Sequence, residues 1–316
     1  MQNTEPTLKI IQSASKRIAQ FIHKTPVLTS LSINSITGTS IFFKCENFQK
    51  AGSFKMRGAI NAVLSLTNEE KQKGVATHSS GNFAQALALS AKNNNIMAYI
   101  VMPKNAPDVK KNAVLGYGAE IIPCFPTLQA REKTLAQVVE KTGATFIHPY
   151  NNYNVIAGHT SAAKELIEEI PNLDVIITPV GGGGLISGTA LATHYLSPKT
   201  QIIAGEPAGA DDAFQSLKKG EIVPSVHPKT IADGLLTSLG DKTFPIIQKY
   251  VSKIITVEEE EIIYAMYLVW ERMKIIIEPS SSVALAAIIR NSNEFKNKRI
   301  GIILSGGNVD LKCLPF

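Results

Sequence analysis

The sequence predicts an α/β protein of two open, mainly parallel layers. Short apolar runs alternate with longer segments whose apolar residues recur at helical spacing, as expected for right-handed crossovers between parallel strands. Several of those runs end in loops rich in glycine, serine and asparagine, where open parallel sheets collect their ligands. A length of 316 residues accommodates one large or two modest domains with a sizeable core.

The first expected helix is Thr7 to His23, amphipathic through Leu8, Ile11, Ile18 and Ile22. An extended, proline-containing segment, Thr25 to Leu28, leads into the stretch Ser40 to Val63. That stretch begins as an apolar strand (Ile41, Phe42, Phe43) and loosens through Gly52. It restarts as a helix with Phe54, Ile60, Val63 and Leu64 at helical spacing and Ser53 as N-cap. A first alternating series follows: strand Gly74 to Thr77, helix Asn82 to Lys92, strand Met97 to Met102, helix Pro107 to Leu115, strand Glu120 to Cys124, helix Leu128 to Thr142 and strand Thr145 to His148. The second runs helix Ala157 to Ile170, strand Val175 to Pro179, helix Leu185 to Tyr195, strand Gln201 to Glu206, helices Glu258 to Met273 and Ser280 to Ile289, and strand Arg299 to Leu304. A junction is expected near Tyr150 to Asn154. The opening residues join the later series, giving a large domain of 1–70 and 151–316 and a small domain of 71–150.

Charged residues make up 18% and hydrophobic ones 44%, a globular and not a disordered composition. The net charge is +6 and the pI near 9.0. The basic residues are nevertheless scattered, with only short clusters such as Lys110-Lys111 and no basic stripe interleaved with aromatics, so no nucleic-acid partner is expected. Small anionic ligands suit the excess. Cys45, Cys124 and Cys313 are widely separated and lack metal spacing, as expected in a reducing, cytoplasmic compartment. The polar N-terminus and the lack of an apolar run of spanning length predict neither a signal peptide nor a membrane helix.

Lys55 falls on the first turn of its helix, where unpaired amides and the helix dipole disfavour an ammonium. An amine held that way becomes a nucleophile toward an aldehyde cofactor, although a lysine near a helix start is more often a solvated surface residue. The loop His78 to Asn82 places two hydroxyls and an amide at a helix N-terminus, either a carboxylate cradle or a generic cap. Gly181 to Gly184 bring bare amides together after a strand and suit a phosphate. No Gly-Lys-Ser/Thr follows, so this is not a P-loop. Ser187 stands where the dinucleotide fingerprint has its third glycine, while Glu206 suits a ribose contact, which keeps a dinucleotide site as a minority alternative. Glu206, Asp211 and Asp212 with the Ala210 carbonyl offer hard oxygen ligands, or else a solvated acidic turn. Ser305 either presents a hydroxyl to a ring nitrogen or opens a plain glycine turn.

Taken in order, GSFKMRGA, THSSGN, PVGGGG, EPAGADD, TIADG, WERMKIIIEP and LSGGNVD resemble the serine racemase and threonine dehydratase family of fold type II pyridoxal phosphate (PLP) enzymes, with a tryptophan synthase β-subunit-like architecture. The resemblance covers nearly the whole chain and is densest after residue 200, where it looks most like the eukaryotic-type serine racemases. It implies that Lys55 carries PLP, that Phe54 packs beside the ring, and that Gly181, Gly182, Gly183 and Gly184 with the Leu185 amide bind the phosphate. By the same resemblance Asn82 reaches the ring hydroxyl and Ser305 the pyridine nitrogen. A hydroxyl there does not keep that nitrogen protonated, which makes the ring a weaker electron sink. A small amino-acid substrate is implied on Ser79, Ser80, Gly81 and Asn82, with Arg131 and Asp233 nearby. Lys55 removes the Cα proton from one face and Ser80 returns one on the other; departure of the β-hydroxyl instead gives a keto acid and ammonia. Dedicated dehydratases commonly carry alanine where Ser80 stands, whereas racemases and 3-hydroxyaspartate dehydratases carry serine.

The resemblance further implies a Mg²⁺ (or Ca²⁺ or Mn²⁺) site on Glu206, the Ala210 carbonyl and Asp212. An ATP effector site on Lys50, Gln85, Tyr117, Lys274 and Asn308 and a homodimer are also implied. The family's SSGNH reads Ser79-Ser80-Gly81-Asn82-Phe83 here, which removes an imidazole beside the substrate loop. After Leu304 no regulatory domain like that of biosynthetic threonine dehydratases is expected. The expected activity is a PLP-dependent serine racemase with dehydratase activity. A dedicated threonine, serine or 3-hydroxyaspartate dehydratase is the alternative, and a non-catalytic nucleotide-binding module the reading from another class.

Overall fold

The computed structural model describes residues 4–106 and 108–316. In chain order its strands are β1 (Val27–Leu28), β2 (Ser40–Cys45), β3 (Val75–His78), β4 (Ala98–Pro103), β5 (Glu120–Cys124), β6 (Thr145–Phe146), β7 (Val175–Pro179), β8 (Gln201–Pro207), β9 (Lys253–Val257) and β10 (Arg299–Leu304). They form a six-stranded sheet ordered β1-β2-β10-β7-β8-β9 and a four-stranded sheet ordered β5-β4-β3-β6. Every pairing is parallel except that of the short β1 with β2. Two open parallel α/β layers are thus what the chain forms.

The central strands β10, β7 and β8 are buried along nearly their whole length, which explains their unbroken Ile and Val runs. Apolar clusters cover both faces of the larger sheet: Ile262, Met266, Leu285 and Ile288 belong to one, Ile156, Leu166, Ile186 and Leu191 to the other. A third cluster joins Met56, Ile60 and Val63 to Phe83, Leu87 and Ile100 of the smaller layer.

Helix Lys55–Leu64 therefore lies between the layers, packed on Asn82–Lys92 from one side and Tyr153–Glu169 from the other. Its backbone approaches the latter closely, since a Cβ at Gly158 would lie 2.3 Å from the Arg57 carbonyl oxygen. A buried ion cluster fixes its position. Arg57 donates to both oxygens of Glu46 (2.6 and 2.8 Å), both oxygens of Glu165 (2.6 and 2.8 Å) and Ser161. Lys44 adds a contact to Glu165 at 2.6 Å. Two cations and two anions balance, which a buried cluster requires.

Several boundaries differ from expectation. The first helix is Leu8–Ile18, not Thr7 to His23: past Ile18 the chain closes a turn through the Phe21 amide to the Ile18 carbonyl. The expected start at Pro107 lies outside the described residues, and the helix there is Asp108–Gly116. The helix expected from Ala157 begins at Tyr153, because Asn152 Oδ1 accepts the amides of Asn154 and Val155. Among the described residues no helix is long and apolar enough to cross a membrane.

Candidate active site

Loops after β2, β3, β6, β7 and β10 meet around the start of helix Lys55–Leu64. The backbone does much of the joining. Phe54 N donates to Ser305 O at 3.0 Å, Gly307 N to Gly52 O at 2.9 Å, and Ser53 pairs with Gly306 in an isolated antiparallel bridge. Ser53 is consequently extended (φ −162°, ψ 161°), and Phe54, with no capping side chain, occupies the position before the helix. The expectation of Ser53 as N-cap is corrected: its hydroxyl is buried and finds no hydrogen-bond partner among the described residues.

Lys55 is partly buried, its Nζ donating to Pro149 O at 3.3 Å and lying 4.9 Å from the Phe54 ring centre and 6.0 Å from that of Phe83. Burial pulls its pKa from 10.5 down to about 8, against the opposing charge of Glu278. The lowered pKa matches the sequence reading, but burial rather than the helix dipole is its main source. At such a value roughly one amine in ten is neutral at pH 7, enough to supply a nucleophile.

Pro149 is followed by Tyr150, whose ring lies against the glycine turn. A Cβ at Gly182 would stand 2.4 Å from Tyr150 Cδ1, and one at Gly184 2.9 Å from Tyr150 Cβ. Gly183 is left-handed (φ 87°) and begins helix Gly184–Leu196. The first turn of a helix leaves its amides without intrahelical acceptors, so the turn presents donors beside Tyr150. The residue after Tyr150 also fixes the neighbouring imidazole: His148 Nδ1 accepts from Asn151 N at 3.0 Å and Tyr150 N at 3.3 Å. Burial, with His78 and Lys55 adding to it, lowers the His148 pKa to about 3. Its ring meets Tyr150 edge-on at 4.5 Å.

In the His78 to Asn82 loop, Ser79, Ser80 and Gly81 are partly buried, and Gly81 N donates to Ser79 Oγ at 3.4 Å. A side chain added at Gly81 would meet nothing within 4 Å, so open space fronts the N-terminus of helix Asn82–Lys92. Asn82 is held from two sides. Its Nδ2 donates to both oxygens of Glu278 (2.8 and 3.0 Å), and its Oδ1 accepts from Asn308 Nδ2 at 2.9 Å. Ser305 is buried beside them. Glu278 is the residue that sequence reasoning missed, although it stands inside the quoted WERMKIIIEP. Burial raises its pKa to about 7, with the Asn82 hydrogen bonds opposing. Phe83, where the family has histidine, is buried in the smaller layer's core.

The remaining expected residues lie as follows. Arg131, on helix Leu128–Thr142, has a buried Nε with no partner among the described residues. Asp233 forms an ion pair with Lys110. Glu206 accepts the amides of Ala213 and Phe214, each at 2.8 Å, and burial raises its pKa to about 9. Burial raises the pKa of the Asp212 carboxyl to about 6, with the Ser225 hydroxyl and the Leu239 amide opposing. Among the described residues no group of three His, Cys, Asp or Glu side chains is arranged to hold a metal. Of the turn's three carboxylates, Asp211 accepts from Gln215 Nε2 at 2.7 Å. Asn308 also donates to Ala51 O at 2.8 Å, its amide lying against Gly52 beside Lys50. Gln85 is buried on helix Asn82–Lys92, Tyr117 packs on the smaller layer's core, and Lys274 ends helix Glu259–Met273 in a left-handed turn.

A nucleophilic amine, a turn of bare amides and open space before a second helix N-terminus together fit an aldehyde cofactor bearing a phosphate. The model of the family described as "Pyridoxal-phosphate dependent enzyme" matches residues 18–306. The serine racemase of Dictyostelium discoideum is 54% identical over 314 residues, spanning 98% of this chain and 96% of that protein. The beta-hydroxyaspartate dehydratase of Paracoccus denitrificans is 48% identical over 311 residues, spanning 98% and 99%. The structure of maize serine racemase superposes with a TM-score of 0.95 at 45% identity, covering 98% of this chain and 95% of that one. The chain belongs to the pyridoxal-phosphate dependent enzymes, in the fold type II family of serine racemases and threonine dehydratases.

Proposed function

We propose that this protein is a PLP-dependent serine racemase that also eliminates the β-hydroxyl of serine or threonine to give a keto acid and ammonia. The observation that carries the reading is the lowered, partly buried Lys55 amine beside a loop with Ser80 at its centre. PLP, when bound, supplies an aldehyde that captures amines and a ring that draws electrons from the substrate Cα. Lys55 would hold that aldehyde, the amides of Gly181, Gly182, Gly183, Gly184 and Leu185 its phosphate, and Phe54, Asn82 and Ser305 its ring. The substrate carboxylate docks on Ser79 to Asn82, where open space meets a helix N-terminus. Once the substrate amine has displaced it, the free Lys55 amine would take the Cα proton on one face, and the Ser80 hydroxyl would supply one on the other. Glu278 orients the Asn82 amide and keeps an anionic partner near Lys55. In this reading the boundaries are those set out above, 1–70 with 151–316 and 71–150.

Two buried carboxyls, Asp212 and Glu206, whose pKa values burial and neighbouring like charge both raise, support a divalent cation completed by the Ala210 carbonyl and water. Exposed Tyr264 and Tyr267 on helix Glu259–Met273, with the Phe316 ring edge-on against Tyr267, support a homodimer through that helix. ATP as an effector on Lys50, Gln85, Tyr117, Lys274 and Asn308, and a cytoplasmic setting for three unpaired cysteines, complete the proposal. One observation favours a second reading: the buried Nε of Arg131, without a partner among the described residues, suits a substrate with a second carboxylate, such as 3-hydroxyaspartate. Incubation with L-serine, quantifying D-serine and pyruvate together, separates the readings. The first expects both products and loss of D-serine alone in Ser80→Ala; unchanged racemisation in that variant would eliminate Ser80 as the second base.

A further inference from the structure

The ion pair between Lys110 and Asp233 joins the two layers at the site. Lys110 stands on helix Asp108–Gly116, which follows β4 and packs on helix Asn82–Lys92 in the smaller layer. Asp233 opens the short turn Asp233–Leu235 of the larger one. That turn is itself anchored on the glycine turn. A Cβ at Gly181 would lie 2.9 Å from Leu235 Cα, and Gly234 N donates to Ser280 Oγ at 3.0 Å. The neighbouring Lys111 is engaged elsewhere, on Lys104 O and Asp108, so Lys110 is the cation that reaches across. Both partners act electrostatically on Glu278, which grips Asn82, so the pair stands beside the other contact between layers.

We propose that Lys110 and Asp233 form a latch that holds the smaller layer, and with it the substrate loop, against the larger one, so that Asp233 serves substrate binding through Lys110 and not by touching the substrate. This rests on the function proposed above only for the choice of substrate. Closing the loop onto its carboxylate pocket costs less when the latch already favours the closed arrangement, and an enzyme only fractionally closed binds more weakly by that fraction. With Asp233 half exposed and Lys110 one-fifth exposed, the pair is screened by solvent and its effect is modest. It is also salt-sensitive.

The test uses the PLP-loaded enzyme and three variants: Lys110→Met, Asp233→Asn, and the exchange Lys110→Asp with Asp233→Lys. Each single variant is expected to raise KM for L-serine about two- to five-fold with kcat little changed. Each is also expected to speed amide hydrogen exchange in residues 108–116 by a similar factor. The exchanged pair recovers both, and salt raises the wild-type KM toward the single variants without moving theirs. Exchange rates in 108–116 that no single variant alters would overturn the latch. A loss in Asp233→Asn that the exchanged pair leaves unrepaired would also overturn it, because Asp233 would then contact substrate itself. Hydrogen exchange reads the latch whether or not serine is turned over, so failure of the substrate assignment is told apart from failure of the latch.

Discussion

Replacing Glu278 by Gln removes a charge without changing shape, and the structure fixes the sign of the consequence. The carboxylate is buried, accepts two hydrogen bonds from Asn82, and has its pKa raised from 4.5 to about 7. A raised folded-state pKa means that the neutral form is favoured on folding. Its stabilising contribution is complete below pH 4.5 and is lost as pH climbs through 7. Between pH 5.5 and pH 8 the wild-type protein should therefore lose about 2 kcal/mol that the glutamine variant keeps. Glutamine, like the protonated acid, offers Asn82 one acceptor oxygen, so the hydrogen bonds of variant and wild type differ little at pH 5.5. The gap in stability between wild type and variant should therefore shift by about 2 kcal/mol in the variant's favour from pH 5.5 to pH 8. Urea unfolding of both cofactor-free proteins at the two pH values measures this. Stability differences that stay parallel across the range would refute the assignment of a titrating, buried Glu278.

Gly182→Ala drives a methyl into the Tyr150 ring, which stands 2.4 to 2.5 Å from the Cβ position, and should cost about 1 to 3 kcal/mol of stability in thermal unfolding. PLP affinity, titrated by visible absorbance, should fall with it. Arg57→Met leaves Glu46 and Glu165 buried with Lys44 as their remaining cation among the described residues, and should destabilise by about 3 to 5 kcal/mol in urea. A loss under 1 kcal/mol would mean that the cluster contributes little. Mg²⁺ should raise the melting temperature of wild type and not of Asp212→Asn; an equal rise in both would place the cation elsewhere.

Strands and helices with a strong period were legible residue by residue. Asn82–Lys92, Glu120–Cys124, Leu128–Thr142, Val175–Pro179 and Arg299–Leu304 have the bounds that the apolar pattern predicts. Helices Leu31–Thr37, Asn68–Lys73 and Phe244–Tyr250 were not, because a helix of one or two turns has too few residues to display a period. For Asn68–Lys73 a signal existed in the Thr67 and Glu70 capping box. The edge strand β9 escaped for a related reason: only Ile254 and Val257 of it are buried. At the site, Lys55 and the glycine turn could be found because each is a local pattern with its own chemistry. Glu278 and the Lys110–Asp233 pair could not, since their meaning comes from partners distant in sequence, Asn82 among them. The cause of the Lys55 shift was misread for the same reason, because burial belongs to the whole fold and a helix end to a few residues.

The central claim is that the Lys55 amine holds the cofactor. Hydride reduction of the protein loaded with pyridoxal phosphate, followed by peptide mass spectrometry, tests it directly. The label should sit on Lys55, form faster as pH rises toward 8 and level off above it, and be absent from Lys55→Ala. A label on another lysine, or wild-type protein that takes up none, would contradict the account.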